Sequence, residues 1–320
     1  MKNIKINFTD FDRSLNPHNN YFIDLLRRKY SVEISDKPDY IIYSAFGRRF
    51  LDYDCVKIYY TGECIVPDFN LCDYAIGFEY MTYGDRYIRI PLYELFHWRE
   101  KYISVVTGSY QRRKKTDFCS FVCSNDRGMK ERFKMFDLLN KYKKVDSGGR
   151  YMNNIGGPVK DKLEFDGRHK FSIAFENCSQ MGYTTEKIAE AFAADTIPIY
   201  YGNPEIAKEF NTKAFINVHD YPSLEAAAAR VIEIDSDNDL YNSIKNEPIL
   251  SGARYQEEDI CKFLYNIFDQ PLEKARRRPY NTRIQEIEDD QKLCRAYEKI
   301  IGEKYKAVKS ILRRIKNHSL

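Results

Sequence analysis

Along residues 171–204 the spacing of apolar positions changes twice. Phe171, Ile173 and Phe175 recur at every second residue, the period of a strand with one face on a core. Asn177 to Tyr183 are mostly polar and include Gly182, so the chain turns there. Thr184 or Thr185 is placed to cap a helix, and Ile188, Ala189 and Phe192 give that helix an apolar stripe. Asp195 ends it. Residues 196–202 form a second apolar strand, closed by the turn Gly202-Asn203-Pro204. Strand, helix and strand make a βαβ unit, which predicts parallel pairing in an α/β domain. Ligands bind such sheets at the carboxyl ends of their strands. Glu176, Asn177, Tyr183, Glu186 and Lys187 fall on that edge.

The remaining pattern predicts a second unit of the same kind. Residues 3–8, 40–44, 56–60 and 74–78 are short runs rich in Tyr, Ile and Val, read as strands. Residues 21–29 have a helical pattern. Residues 107–117 are basic and aperiodic, and are expected to link two domains. Beyond them a strand at 118–123 and a helix at 129–142 lead through a Gly-rich loop to the βαβ unit. Two Rossmann-like domains facing a cleft are therefore expected: residues 1–106, a linker at 107–117, and residues 118–271. Residues 272–320 form a separate helical, basic segment. Near its end Tyr305, Val308, Leu312 and Ile315 share one helical face, ringed by Lys306, Lys309, Arg313, Arg314 and Lys316. Such a face either packs on its own domain or rests on an anionic membrane surface.

Composition narrows the class. The hydrophobic share of 43% is enough for ordinary cores, while the net charge of +4 is too small to name a partner. Arg112 to Lys115 and the basic end accompany no nucleic-acid-binding module, so none is expected to bind. The eight cysteines lack zinc spacing, and Cys119 and Cys123 are read as core thiols. Residues 1–8 carry no signal-like apolar run, and nowhere do 18 apolar residues follow one another. A cytoplasmic protein is expected, with its C-terminal helix either packed on its own domain or in peripheral contact with the inner membrane face.

FENCSQMGYTTEK (175–187) followed by IPIYYGNP (197–204) resembles the donor signature of the alpha-1,3/4-fucosyltransferases. The family pattern is Phe-Glu-Asn, a gap, Tyr-x-Thr-Glu-Lys, a helix, and Pro-x-x-x-Gly-x-Pro. Tyr59 to Tyr93 is similar to the acceptor-side region of bacterial members, and Asp146 to Gly157 to their arginine loop. With Phe215 to Ser223, the resemblance covers about half the chain. It implies the GT-B architecture and an inverting transfer of L-fucose from GDP-fucose to the 3-hydroxyl of GlcNAc in an oligosaccharide, as in Lewis-type glycans. Animal members are generally anchored in the Golgi, and this chain departs from them.

Such a transfer needs a base for the acceptor hydroxyl and positive charge for the departing diphosphate. Arg150 follows two glycines that let backbone approach phosphate, and Lys187 lies in the first turn of a helix, where an anion is already favoured. Alone, each also fits a solvated turn; the resemblance implies the phosphate role for both. It further implies that Glu186 holds ribose hydroxyls. Tyr183 is expected to meet the nucleotide or phosphate, and Asn177 to order the loop or touch the donor. Glu63 follows a strand, and the resemblance implies that it is the general base. The family usually has Asn after this Glu, where this chain has Cys64. Glu94 and Asp73 are rivals for the base. The acidic pairs Asp235/Asp237 and Asp289/Asp290 lie away from the donor motif, so no metal ion is expected to be obligatory. Two alternatives stay open: another GDP-sugar or a 1,4 linkage, and a protein that binds nucleotide sugar without turnover.

Overall fold

The computed structural model describes residues 1–12, 15–251 and 257–317. The side chains of residues 298, 300 and 303–317 fall outside that description, and with them the stripe Tyr305, Val308, Leu312 and Ile315. The chain packs as two units. One comprises residues 1–76, 83–88 and 260–320; the other comprises 77–82 and 89–259.

The first unit holds β1 (Lys2–Thr9), α1 (Tyr21–Arg27), β2 (Tyr30–Ile34), β3 (Tyr40–Tyr43), β4 (Val56–Tyr60), β5 (Tyr74–Gly77) and β6 (Tyr87–Arg89). These form one sheet in the order β2-β1-β3-β4-β5-β6. The pairings from β2 through β5 are parallel. Every residue of β3 and β4 is buried, as expected of parallel strands covered on both faces. Asn20 caps α1 by accepting from the Ile23 N–H, and Phe22, Ile23, Leu25 and Leu26 turn inward.

The second unit contains α2 (Trp98–Thr107), β7 (Asp117–Phe121), α3 (Glu131–Asn140), β8 (Val145–Ser147), α4 (Lys162–Gly167), β9 (His169–Phe175), α5 (Glu186–Ala193), β10 (Ile197–Tyr201) and β11 (Ile216–Asn217). It continues with α6 (Leu224–Ser236) and α7 (Asn238–Lys245). Its sheet runs β11-β10-β9-β7-β8, with parallel pairings throughout. The chain leaves β7 for β8 on one side and returns to β9 on the other. The order thus reverses between β7 and β9, where a crevice opens at the carboxyl ends. Phe171, Ile173 and Phe175 pack with Met135, Leu139 and Val231 on one face. On the other face Ala174 meets Ile188, Ala189 and Phe192 of α5. Burial of each large apolar side chain stabilises by roughly 1.5–3 kcal/mol, so α5 is pinned along its whole length.

Three expected boundaries move. Residues 107–117 are no free linker: Lys115 donates to Gly167 O at 2.8 Å, and the Arg113 N–H donates to Asp195 at 3.0 Å. Helix α2 belongs to the second unit, because Lys101 pairs with Glu190 of α5 at 2.5 Å. The C-terminal part joins the first unit through α8 (Glu257–Asp269), α9 (Leu272–Ala275) and α10 (Thr282–Asn317). Tyr30 donates to Asp269 at 2.9 Å and Arg277 to Asp85 at 2.7 Å. Among the described residues no helix is long and apolar enough to cross a membrane.

Candidate functional site

Strand β9 leads directly into Glu176, which is fully buried. Its carboxylate accepts from the Thr185 backbone N–H at 2.7 Å and from the Thr185 hydroxyl at 2.6 Å. Thr185 is the N-cap residue of α5, yet its side chain makes no cap bond to the helix. The threonine cap expected from sequence is therefore replaced by a tie between the strand end and the helix start. The first-turn N–H groups of α5, which have no partner carbonyl within the helix, lie at the sheet edge.

Lys187 closes this tie. Its Nζ lies 2.9 Å from the Thr185 hydroxyl, 3.2 Å from Glu186 and 3.3 Å from Glu176. Burial alone would lower the Lys187 amine, but the charges of Glu186 and Glu176 more than reverse this and hold it above its ordinary value. Burial likewise opposes ionisation of Glu186, and Lys187 outweighs it, leaving that carboxyl below the usual range. Burial raises Glu176 against the pull of the same ammonium. The Lys187 side chain keeps 24% exposure, enough for a ligand to reach its charge.

The loop between β9 and α5 is held from below. Gly182 has φ +79°, and a Cβ there would sit 2.3 Å from Phe78 O, so no other residue fits. Its N–H donates to Asn203 Oδ1 at 2.8 Å, and its carbonyl accepts from Arg89 at 2.9 Å. Buried Glu209 gathers the same parts, accepting from Tyr80 at 2.6 Å, Tyr93 at 2.6 Å, Arg89 at 2.7 Å and Thr184 at 3.0 Å. Tyr183 is 2% exposed and packs edge-on against Phe78 at 5.0 Å. Its ring braces the loop. Asn177 is exposed and accepts from Arg132 at 2.8 Å.

Arg150 follows β8. Gly149 presses on the end of β7, since a Cβ would lie 1.9 Å from Cys123 O. Asn154 braces the loop, accepting from the Ser147 N–H at 2.7 Å and donating to Val145 O at 2.8 Å. Arg150 stands exposed, with no ion pair or hydrogen bond among the described residues. Arg150, Asn177, Glu186 and Lys187 thus share one sheet edge of the second unit.

Glu63 belongs to the first unit, just past the carboxyl end of β4. Its N–H donates to the Thr61 hydroxyl at 3.0 Å, while its half-buried carboxylate has no partner among the described residues. A cavity of about 430 Å³ adjoins the same loop, lined by Tyr43, Phe46, Tyr59, Ile65 and Asp68 among others. Both rivals fall away. Glu94 is buried and paired with Arg99 at 2.7 Å. Asp73 is buried at the opening of β5, where it accepts backbone N–H bonds from Lys57, Arg277 and Arg278.

Among the described residues Asp117, Asp146 and His169 approach one another closely enough to hold a cation. Asp117 and His169 open their strands, at the edge opposite Lys187, and Lys144 lies 2.6 Å from Asp146. The acid of Asp235 is occupied by Lys143 and Lys170.

Sequence reasoning missed Arg89, Glu209 and Arg132. For the first two no spacing gives a signal. Arg132 had one: with Met135, Phe136 and Leu139 it occupies positions i, i+3, i+4 and i+7, so a cation stands on the core face of α3.

Glu190 yields a stability prediction. Burial would raise its carboxyl, but Lys162 at 2.8 Å and Lys101 at 2.5 Å bring it down from 4.5 to about 2. A depressed folded pKa adds stability above the unfolded value and loses it as pH falls toward the folded one. Glu190→Gln is expected to cost roughly 2–3 kcal/mol at pH 7. Its urea midpoint should also decline less steeply than wild type between pH 4.5 and about 2. Parallel pH curves for the two proteins would remove the ion pairs from the stability of α5.

Residues 6–96 match the model of the alpha-(1,3)-fucosyltransferase FucT N-terminal domain. Residues 111–246 match that of the C-terminal part of glycosyltransferase family 10 (fucosyltransferase). Over 277 residues the chain is 34% identical to the alpha-(1,3)-fucosyltransferase FucT of Helicobacter pylori, an alignment covering 73% of this chain and 57% of that protein. The chain thus spans little more than half the length of that relative. A crystal structure of an alpha1,3-fucosyltransferase with GDP is 28% identical at TM-score 0.70, covering 87% of this chain and 93% of that one. Another, with GDP-fucose, is 28% identical at TM-score 0.70, covering 84% and 92%.

Proposed function

The chain belongs to the fucosyltransferases of glycosyltransferase family 10, and we propose that it moves L-fucose from GDP-fucose to the 3-hydroxyl of GlcNAc in an oligosaccharide. The observation that carries this reading is the carboxyl edge of the second sheet. There the free Arg150 guanidinium and the Lys187 ammonium stand beside a helix N-terminus. Two cations and a helix dipole suit a diphosphate. Glu186, ionised and partly exposed, suits ribose hydroxyls. The 28%-identical structure with GDP-fucose supports this choice of donor.

Glu63 takes the proton of the acceptor hydroxyl. That oxygen bonds to the fucose anomeric carbon as the bond to GDP breaks, and the leaving charge falls on Arg150 and Lys187. One displacement inverts the configuration and needs no second carboxylate as nucleophile. The side chains meet the leaving charge, so this reading asks for no metal ion. The cavity beside Glu63, with Tyr43, Phe46 and Tyr59 in its lining, offers aromatic faces to an acceptor saccharide.

Incubation with GDP-fucose and N-acetyllactosamine, with the linkage read by NMR, tests the reaction; calorimetry with GDP and UDP tests the donor. An alpha-1,3-fucoside on GlcNAc and tighter binding of GDP are expected. Equal or tighter UDP binding overturns the donor. Fucose on carbon four overturns the linkage alone.

A further inference from the structure

Arg132 is 6% exposed on α3. Its Nη2 donates to Glu176 O at 2.9 Å and to Asn177 Oδ1 at 2.8 Å, and its Nη1 to Cys123 Sγ at 3.4 Å. Its buried Nε has no partner. No carboxylate pairs with it among the described residues. A buried charge without a counterion costs several kcal/mol, so it persists where an anion completes it.

Its position indicates which anion. Arg132 lines the crevice between β7 and β9 together with Lys187 and Cys123, at the point where the strand order reverses. It also fixes the sense of the Asn177 amide. A guanidinium only donates, so the amide oxygen faces Arg132 and the amide nitrogen faces away. That nitrogen has no partner among the described residues, and Asn177 is exposed. The result is a pair of unused N–H donors just past the carboxyl end of β9, held in orientation by a buried cation.

We propose that Arg132 is a positioning residue for the sugar-nucleotide donor. It holds Asn177 with both amide N–H groups toward the diphosphate, and that diphosphate is the counterion its own charge lacks. The inference rests on the donor reading above.

Calorimetry with GDP and with guanosine, on wild type and variants, tests it. Asn177→Asp keeps an acceptor for Arg132 but replaces the N–H donors with negative charge. GDP affinity should fall by roughly tenfold to a hundredfold, guanosine affinity should hold, and the melting temperature should stay level or rise. Arg132→Lys keeps the charge but cannot fork to two acceptors, and should weaken GDP by about tenfold. In an Asn177→Ala background the same Arg132→Lys change should cost less, because the two act together. Wild-type GDP affinity in a stable Asn177→Asp protein overturns the proposal. So does Arg132→Lys that lowers only the melting temperature. If wild type binds no GDP, the donor reading falls and takes this one with it; if wild type binds and the variants match it, this inference alone fails.

Discussion

Glu63→Gln should slow fucosyl transfer by ~100-fold or more, the scale of a lost general base, while GDP binds nearly as in wild type. Glutamine keeps the size of the side chain and removes its basicity. The change costs no native contact, since the Glu63 carboxylate has no partner among the described residues, and the Thr61 hydroxyl bond uses the backbone. Turnover at saturating GDP-fucose and the GDP dissociation constant are measured on the same preparation. Unchanged turnover removes Glu63 from the mechanism. Lost GDP binding would mean that the substitution acts beyond the acceptor side. Glu94→Gln makes a useful contrast, because it breaks a buried pair with Arg99 and should lower stability first.

The fold was legible wherever one period ran long enough. Phe171, Ile173 and Phe175 pack on one face of β9, and Ile188, Ala189 and Phe192 on the helix against its other face, as their spacing predicts. Strands β2, β6, β8 and β11 were missed; YSVEI has only one fully buried residue, and the other three, of two or three residues each, are too short to show a period. The boundary expected at residues 107–117 failed for another reason. Basic residues there look solvated in sequence, but Lys115 and the Arg113 backbone are spent on the buried Asp195. A distant acid cannot be seen from a local run of cations.

The candidate site divides in the same way. Asn177, Glu186 and Lys187 follow β9 in order, so a local motif brings them together. The ties beneath them are long-range: Arg89 to Gly182, Glu209 to Thr184, and Arg132 to Glu176. Tyr183 shows the limit of motif reasoning, since its position was given by the loop but its burial was decided by Phe78, far away in sequence.

Lys187→Ala and Arg150→Ala should both weaken GDP far more than guanosine, but with different effects on stability. Each residue is proposed to meet phosphate, and a hydrogen bond to a charged group is worth about 1.5–3 kcal/mol. That is roughly tenfold to a hundredfold in affinity. Arg150 is exposed and unpaired among the described residues, so its removal should leave the melting temperature unchanged. Lys187 differs, because Glu176 and Glu186 both depend on it. Without the ammonium a fully buried carboxylate loses its counter-charge, and two acids face the incoming phosphates. Lys187→Ala should therefore lose more GDP affinity than Arg150→Ala and also melt earlier. Adding Glu186→Gln to Lys187→Ala should recover part of the GDP affinity by removing one repelling charge. Titrations with both ligands, alongside thermal melts of all four proteins, separate the terms. Equal loss of guanosine and GDP in either single variant would make that residue a support of the loop and not a contact of the diphosphate.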